Sequence, residues 1–333
     1  MDVLSEVLRA VRLTGAVYFE VTAACPWISK SPATRLIAPA VMPFAEHVIP
    51  FHIVTLGRAW AMPEDRSVPA GAVDPGDIVM FPLGESHILT SDPGMWDCPP
   101  NDLKQYFDAA ESSAPFTLVN IGGEGEKTKI VCGYLGCDSK PFNPLVSALP
   151  RMLIVKGLMD TNALMRELLL AALGEKDDHG EGAQVVLAKL SELMFVQAMR
   201  EHMKRLPASA SNWLSGLRDE FVGRALRLIH ARPAQEWSLE ALAKESGLSR
   251  SALAERFTRF AGEPPMQYLG RWRMQVAAGL IESGLSLGAV AERVGYSSEA
   301  AFQRAFKKHV GASPGEWRKR ARQHGVRSPM LQR

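Results

Sequence analysis

The sequence predicts an α+β chain of two domains: a β-rich barrel or sandwich with helices behind it, then an all-α C-terminal domain. Three observations lead there. Short runs rich in Val, Ile, Phe and Thr fill residues 16 to about 137, separated by clusters such as PAGAVDPGD and SDPGMWDCPPND. From Asn143 onward the texture turns helical, broken at PASASN (207–212). The C-terminal region also repeats itself, since SGLSRSALAERFTRFAGEPPMQYL at 246–269 returns as GYSSEAAFQRAFKKHVGASPGEW at 295–317.

Taken in order, AVYFEVTA, HVIPFHIVTLGRAWAM, GDIVMFP, HILTS, PFTLVNI and KIVCGYLGC read as strands. Their close spacing favours a sandwich or barrel over βαβ units. LVSALPRMLIVKG, DTNALMRELLLAAL and AQVVLAKLSELMFVQAMREHM read as helical, with a polar loop EKDDHGEG before the last. In that last segment Val186, Leu190, Leu193, Met194 and Met199 form a broad apolar stripe. Such a stripe either packs on its own barrel or serves a homodimer through 181–205. The expected division is 1–206, with a helical segment at 143–205, then a linker at 207–213 and a helical domain at 214–333.

Composition fits a soluble protein, with 47% hydrophobic and 22% charged residues among 333. The N-terminus has no signal-peptide layout, and the run LLLAAL is far shorter than a membrane span. Four cysteines in so long a chain point to a reducing cytoplasm, not a disulfide scaffold. The net charge of +2 is unevenly spread: 20 Lys/Arg and 11 Asp/Glu follow residue 206, leaving 18 and 25 before it. A basic C-terminal domain on an acidic body suggests a polyanion partner.

The two copies align at chemically meaningful positions. SLEALAKESG (238–247) matches SLGAVAERVG (286–295), and Leu253, Phe257, Gly262, Pro265 and Tyr268 then match Phe302, Phe306, Gly311, Pro314 and Trp317. Each copy has a Ser to cap a helix, a small Ala at the helix crossing, and a Gly for the turn. That is the layout of a helix-turn-helix, expected at 238–262 and 286–311. The helix between the copies starts at Pro and would span roughly 28 Å, near the ~34 Å between successive major-groove faces. Double-stranded DNA is therefore the expected partner.

SLEALAKESGLSRSALAERFTRFAGEPPMQYLGRWRM and SLGAVAERVGYSSEAAFQRAFKKHVGASPGEWRKR resemble the paired helix-turn-helix domain of AraC/XylS-type transcription regulators. GDIVMFPLGESHIL, FHIVTLGRAW and CGYLGCDSKPFNPL are similar to the cupin-like sensor domain of one branch of that family. That branch includes regulators that sense reactive chlorine species through cysteines. The resemblance implies a transcription regulator whose cupin-like domain controls its DNA-binding domain. A cytoplasmic setting, RNA polymerase as a further partner and, if the stripe at 181–205 is not used by the barrel, a homodimer are expected with it.

Core spacing in the second helices leaves Arg250, Ser251, Ala254 and Glu255 outward in the first copy and Glu299, Ala300, Gln303 and Arg304 in the second. These positions match the family's base contacts. Arg304 suits guanine, Gln303 adenine, and Glu255 cytosine, although both glutamates could equally be solvated surface. Arg256, Arg259, Arg271, Lys307 and Lys308 are expected at phosphates.

For the N-terminal domain two signals stay open: a small apolar or aromatic effector, or an oxidant. Phe51, Trp60, Phe81 and His87 could line an effector pocket, or be core. Cys25 and Cys132 are the redox candidates, against the reading of free cysteines as small buried hydrophobes. A cupin metal site uses a His-x-His pair, whereas His47 and His52 are five apart; no metal and no cofactor are expected. The rival function is a cupin-type metal-dependent enzyme with an attached nucleic-acid-binding domain.

Overall fold

Short runs rich in Val, Ile, Phe and Thr predict strands from residue 16 to about 137, and nine of the ten strands of two sheets form there. The computed structural model describes residues 2–13, 18–43, 45–101, 116–174 and 183–325. The polar stretch 175–182 and the end of the C-terminal domain, 326–333, lie outside the described residues. The chain runs α1 (Val3–Ala10), β1 (Tyr18–Ala24), β2 (Ile28–Ser31), α2 (Thr34–Val41), β3 (His47–Leu56), β4 (Ala59–Pro63) and β5 (Gly71–Val73). Next come β6 (Ile78–Met80), β7 (His87–Thr90), β8 (Phe116–Gly122), β9 (Lys127–Cys137), α3 (Pro144–Ala148) and β10 (Leu153–Val155). The helices α4 (Leu158–Thr161), α5 (Ala163–Gly174), α6 (Ala183–Arg205), α7 (Trp213–Gly216) and α8 (Glu220–Ala231) follow. The last are α9 (Leu239–Ser246), α10 (Arg250–Ala261), α11 (Pro265–Glu282), α12 (Leu287–Arg293), α13 (Glu299–Val310) and α14 (Pro314–Gly325).

The chain divides into two units by its internal contacts. One joins Leu13–Cys137 to Leu149–Arg205; the other joins Met1–Arg12 and Asp138–Ala148 to Leu206–Arg333. The first holds a six-stranded sheet, ordered β10-β6-β3-β9-β1-β8, and a four-stranded sheet, β2-β7-β4-β5. Their shared core includes Val21, Trp27, Val54, Ala61, Val79, Phe81 and Leu89. The predicted run at 47–62 is two strands, because Gly57 turns the chain at φ +72°. A Cβ at Gly57 would lie 2.7 Å from the Lys127 carbonyl, so only glycine fits that turn.

Within the segment read as helical, Leu153–Val155 is instead a strand paired antiparallel to β6. A three-residue apolar run carries no period to tell strand from helix, and the available edge of β6 decides. The apolar stripe of α6 also divides in two. Leu190, Met194 and Met199 are buried, with Met194 and Phe195 beside Ile49, Phe51, Ile78 and Met80 of the large sheet. Val186 and Leu193 remain 54% and 42% exposed.

The helical unit recruits two distant stretches of chain. Asp2 caps α1 by accepting from the Ser5 amide at 2.9 Å, and α1 packs on α8 and α11. The Asp138–Ala148 segment joins it, the Asp138 amide donating to the Val11 carbonyl at 2.8 Å. Gln275 of α11, only 3% exposed, ties both to the helix. Its Oε1 accepts from the Phe142 amide at 2.9 Å, and its Nε2 donates to the Ala10 carbonyl at 2.8 Å. A buried amide with both ends bonded avoids the penalty of an orphaned polar group and fixes the position of each segment.

Candidate nucleic-acid interface

Each helix-turn-helix is built by the same local devices. Ser238 accepts from the Ala241 amide at 3.0 Å to start α9, and Gly247, at φ +83°, ends it. Ser249 then caps α10 through the Ala252 amide at 3.3 Å. In the second unit Ser286 starts α12, Gly295 turns at φ +78°, and Ser298 caps α13. A Cβ on Gly295 would lie 2.4 Å from the Ala234 carbonyl oxygen, so the turn requires glycine. Ala243 and Ala291, each 2% exposed, fill the helix crossings. Leu253 and Phe257 anchor α10 inward, and Phe302 and Phe306 anchor α13, all fully buried.

Burying those residues turns the opposite faces outward. Arg250, Ser251 and Glu255 are exposed on α10, with Ala254 half-buried between them. On α13, Glu299, Ala300, Gln303 and Arg304 are all exposed. Gln303 Nε2 donates to Glu299 Oε1 at 2.8 Å across one helical turn. The helix joining the two units, α11, has 18 residues and so spans about 27 Å. Its buried face carries Tyr268, Trp272, Met274, Ala277 and Ile281. Arg273 on the same helix donates to the Pro233 and Gln235 carbonyls at 2.7 and 2.8 Å, fastening it to the loop before α9.

The five basic residues expected at phosphates fall into two groups. Arg259, Lys307 and Lys308 are exposed. Arg256 instead meets Asp219, with Nη2 2.5 Å from Oδ2 and Nε 3.0 Å from Oδ1. Arg271 Nη1 lies 3.2 Å from Glu263 Oε1, and its guanidinium stacks 4.2 Å from the Phe142 ring. The sequence reading had no means to bridge the 37 positions between Arg256 and Asp219; Glu263 lies only 8 before Arg271. Asp219 is the residue it missed: the carboxylate caps α8 by accepting from the Phe221 and Val222 amides at 3.2 and 2.9 Å. The sole sequence signal was an Asp two residues before an apolar helical pattern.

In the sheet unit, the structure brings together only part of the expected effector set. Phe81 and His87 stack with centroids 3.8 Å apart in the core between the sheets. Phe51 faces the other side of the large sheet, toward α6, and its neighbour across the strands is Gly133, where a Cβ would sit 2.4 Å from the ring. Trp60 lies between Ala59 and Ala61, which both enter the shared core, so it points outward and is half-buried.

His52 Nε2 is 2.8 Å from His87 Nε2, and His87 Nδ1 is 3.0 Å from the Glu85 carbonyl. That carbonyl can only accept, so His87 carries its proton on Nδ1 and His52 donates across the pair. Burial pushes His87 down to about 4 and His52 well below its ordinary value, so both rings are neutral. Among the described residues no group of three or more His, Cys, Asp or Glu side chains is arranged to hold a metal ion.

The cysteines are scattered. Cys132 lies opposite His52 in the β3–β9 pairing, and burial raises its thiol to about 12. Cys137 is buried, Cys25 half-buried beside the shared core, and Cys98 exposed. Cys132 and Cys137 lie in one unbroken stretch of β9, so alternation puts them on opposite faces.

Asp219 offers a direct test of the support beneath α10. Burial alone would raise its carboxyl, but hydrogen bonds from Arg256 and the Val222 and Phe221 amides outweigh that and hold it below the usual range. A carboxyl depressed by folding stabilises above its unfolded value and loses that contribution as pH falls through its folded value. Asp219→Asn is expected to destabilise the protein by about 1–3 kcal/mol at neutral pH. The gap to wild type should narrow below about pH 4. Denaturant unfolding monitored across pH checks both.

Comparison with known proteins agrees with the geometry. A cupin family model matches residues 2–204, and a helix-turn-helix domain model matches 242–320. A putative AraC-like transcription regulator of Streptomyces lividans is 30% identical over 322 residues, covering 96% of this chain and 98% of that one. The HTH-type transcriptional regulator AlkR of Acinetobacter baylyi is 27% identical, covering 96% of this chain and all of its own. The RCS-specific HTH-type transcriptional activator RclR of Escherichia coli is 27% identical over 83% of this chain and 86% of its own. The chain belongs to the AraC family of DNA-binding transcription regulators, with a cupin-like N-terminal domain ahead of its paired helix-turn-helix domain.

Proposed function

We propose that this regulator reads DNA with α10 and α13 in successive major grooves, under control of a signal received by its sheet unit. The observation that carries the reading is the repeated, Ser-capped, outward-facing helix at each end of one 18-residue helix. Arg250, Ser251, Ala254 and Glu255 contact bases in one half-site; Glu299, Ala300, Gln303 and Arg304 contact them in the other. Arg259, Lys307 and Lys308 neutralise phosphates, while Arg256 and Arg271 approach the backbone from positions set by their carboxylate partners. RNA polymerase and a cytoplasmic setting belong to the same reading, and the protein works as a regulator, not as a metal-dependent cupin enzyme.

The test uses the full chain, because residues 2–12 and 138–148 pack with the DNA-binding helices. Arg304→Ala is expected to cost about 1–3 kcal/mol on the cognate site and little on random DNA, with wild-type affinity falling steeply as salt rises. Equal losses on both sequences would reduce Arg304 to a phosphate contact.

A second copy of the chain covers Val186 and Leu193, the exposed apolar face of α6, forming a homodimer. Linking two reading heads raises affinity through effective concentration. Val186→Asp with Leu193→Asp should give a folded monomer in sedimentation velocity with weakened operator binding. An unchanged oligomer would sink the assignment of this face.

The signal is a small apolar effector or an oxidant. A thiol raised to about 12 carries almost no thiolate at neutral pH, so Cys132 is a poor oxidant target and Cys25 is the better one. A full loss of oxidant response in Cys25→Ser supports redox control. A quadruple Cys→Ser protein that responds normally eliminates it and leaves the effector.

A further inference from the structure

The two recognition helices are built on one plan, residue for residue at a constant offset. Helix α10 starts at Arg250 behind the Ser249 cap and stops at Gly262; α13 starts at Glu299 behind Ser298 and stops at Gly311. Each has 12 residues, and the buried Leu253 and Phe257 occupy the places of Phe302 and Phe306. A shared frame lets the outward faces be compared position by position. At the first helical position Arg250 stands where α13 has Glu299. At the sixth, Glu255 stands where α13 has Arg304. The ionic positions are the same, and their charges are exchanged.

All four side chains are exposed. Among the described residues none of them joins an ion pair, unlike the neighbouring Arg256, which Asp219 holds. Glu299 Oε1 accepts from Gln303 Nε2 at 2.8 Å, a neutral partner that steadies the carboxylate without cancelling its charge. A carboxylate can only accept hydrogen bonds, and a guanidinium can only donate them. In a major groove the carboxylate is repelled by both rows of phosphates and by the O6 and N7 acceptors of guanine. The cytosine N4 amino group suits it, being a donor with no acceptor beside it on that edge. The guanidinium has the opposite preference, for guanine O6 and N7.

We propose that the two half-sites have opposite polarity at the base pairs these four residues face, an inference that rests on α10 and α13 being the base-contacting helices. At the first position α10 takes guanine and α13 takes cytosine. At the sixth, α10 takes cytosine and α13 takes guanine. The operator is then neither a direct nor an inverted repeat of one half-site at these pairs. Two copies of one structural unit thereby read two different sequences.

The experiment selects duplex DNA from a random pool with the full-chain protein, then repeats the selection with Glu255→Arg. That change gives α10 the residue α13 carries at its sixth position. One pair in one half-site should change from cytosine to guanine, with the other half-site unaltered. In anisotropy titrations, wild type should bind the duplex with that pair reversed about 5- to 150-fold more weakly, and Glu255→Arg should prefer it. Arg304→Glu should make the converse change, guanine to cytosine, in the other half-site. Glu255 is exposed, so a native circular dichroism spectrum is expected of its variants. If charge reversal nevertheless perturbs folding, Glu255→Gln replaces it and should move the same pair to adenine. A Glu255 variant that selects the wild-type sequence, or changes the half-site that Arg304→Glu changes, overturns the proposal and leaves the two-headed reading standing. A wild-type chain that selects no sequence overturns that reading and the proposal together.

Discussion

Every side chain assigned to DNA recognition depends on one helix, Pro265–Glu282, being held rigidly between the two reading heads. The helix is fixed by its buried face. Tyr268 sits at the centre, its hydroxyl satisfied by Trp213 and His230 and its ring meeting Phe257 and Phe142 edge-on. Phe257 is the inward anchor of α10, so the hub connects the spacing helix to the recognition helix directly. At the far end Met274, Ala277 and Ile281 share a core with Phe302 and Phe306, the anchors of α13. In the proposed reading, a spacer with a recognition helix packed at each end joins two weak DNA contacts into one specific one.

Gln275 adds a second constraint on the same helix. Its two bonds reach residues 10 and 142, which flank the sheet unit in sequence: Ala10 precedes β1, and Phe142 follows β9 by a few residues. Both stretches are thus tied to the spacing helix by hydrogen bonds. The Asp138 amide bond to Val11 closes the same circuit. A polar residue is tolerated in this otherwise apolar seam because both ends of its amide are bonded.

What the sequence made legible was local. Ser caps, αL glycines and inward Phe residues act over three to five positions, so two copies of the same spacing revealed both helix-turn-helix units and their outward faces. Trp60 between Ala59 and Ala61 was legible in principle, since alternation alone turns it away from the core. What stayed hidden was non-local. Nothing near Arg256 announces Asp219, 37 positions earlier, and nothing in SKPFNPLVSA announces that it packs on α11. The three residues of β10 lacked any period, and only the edge of β6 made them a strand.

The most direct measurement of the central claim is guanine-methylation and hydroxyl-radical protection of a cognate site by the full-chain protein. Two protected major-groove segments on one face of the duplex, about 10–10.5 base pairs apart, are the predicted result. With Arg304→Ala, protection should fade in the segment read by α13 and persist in the other. A single protected segment in wild type, or two on opposite faces, would contradict a rigid spacer delivering both recognition helices.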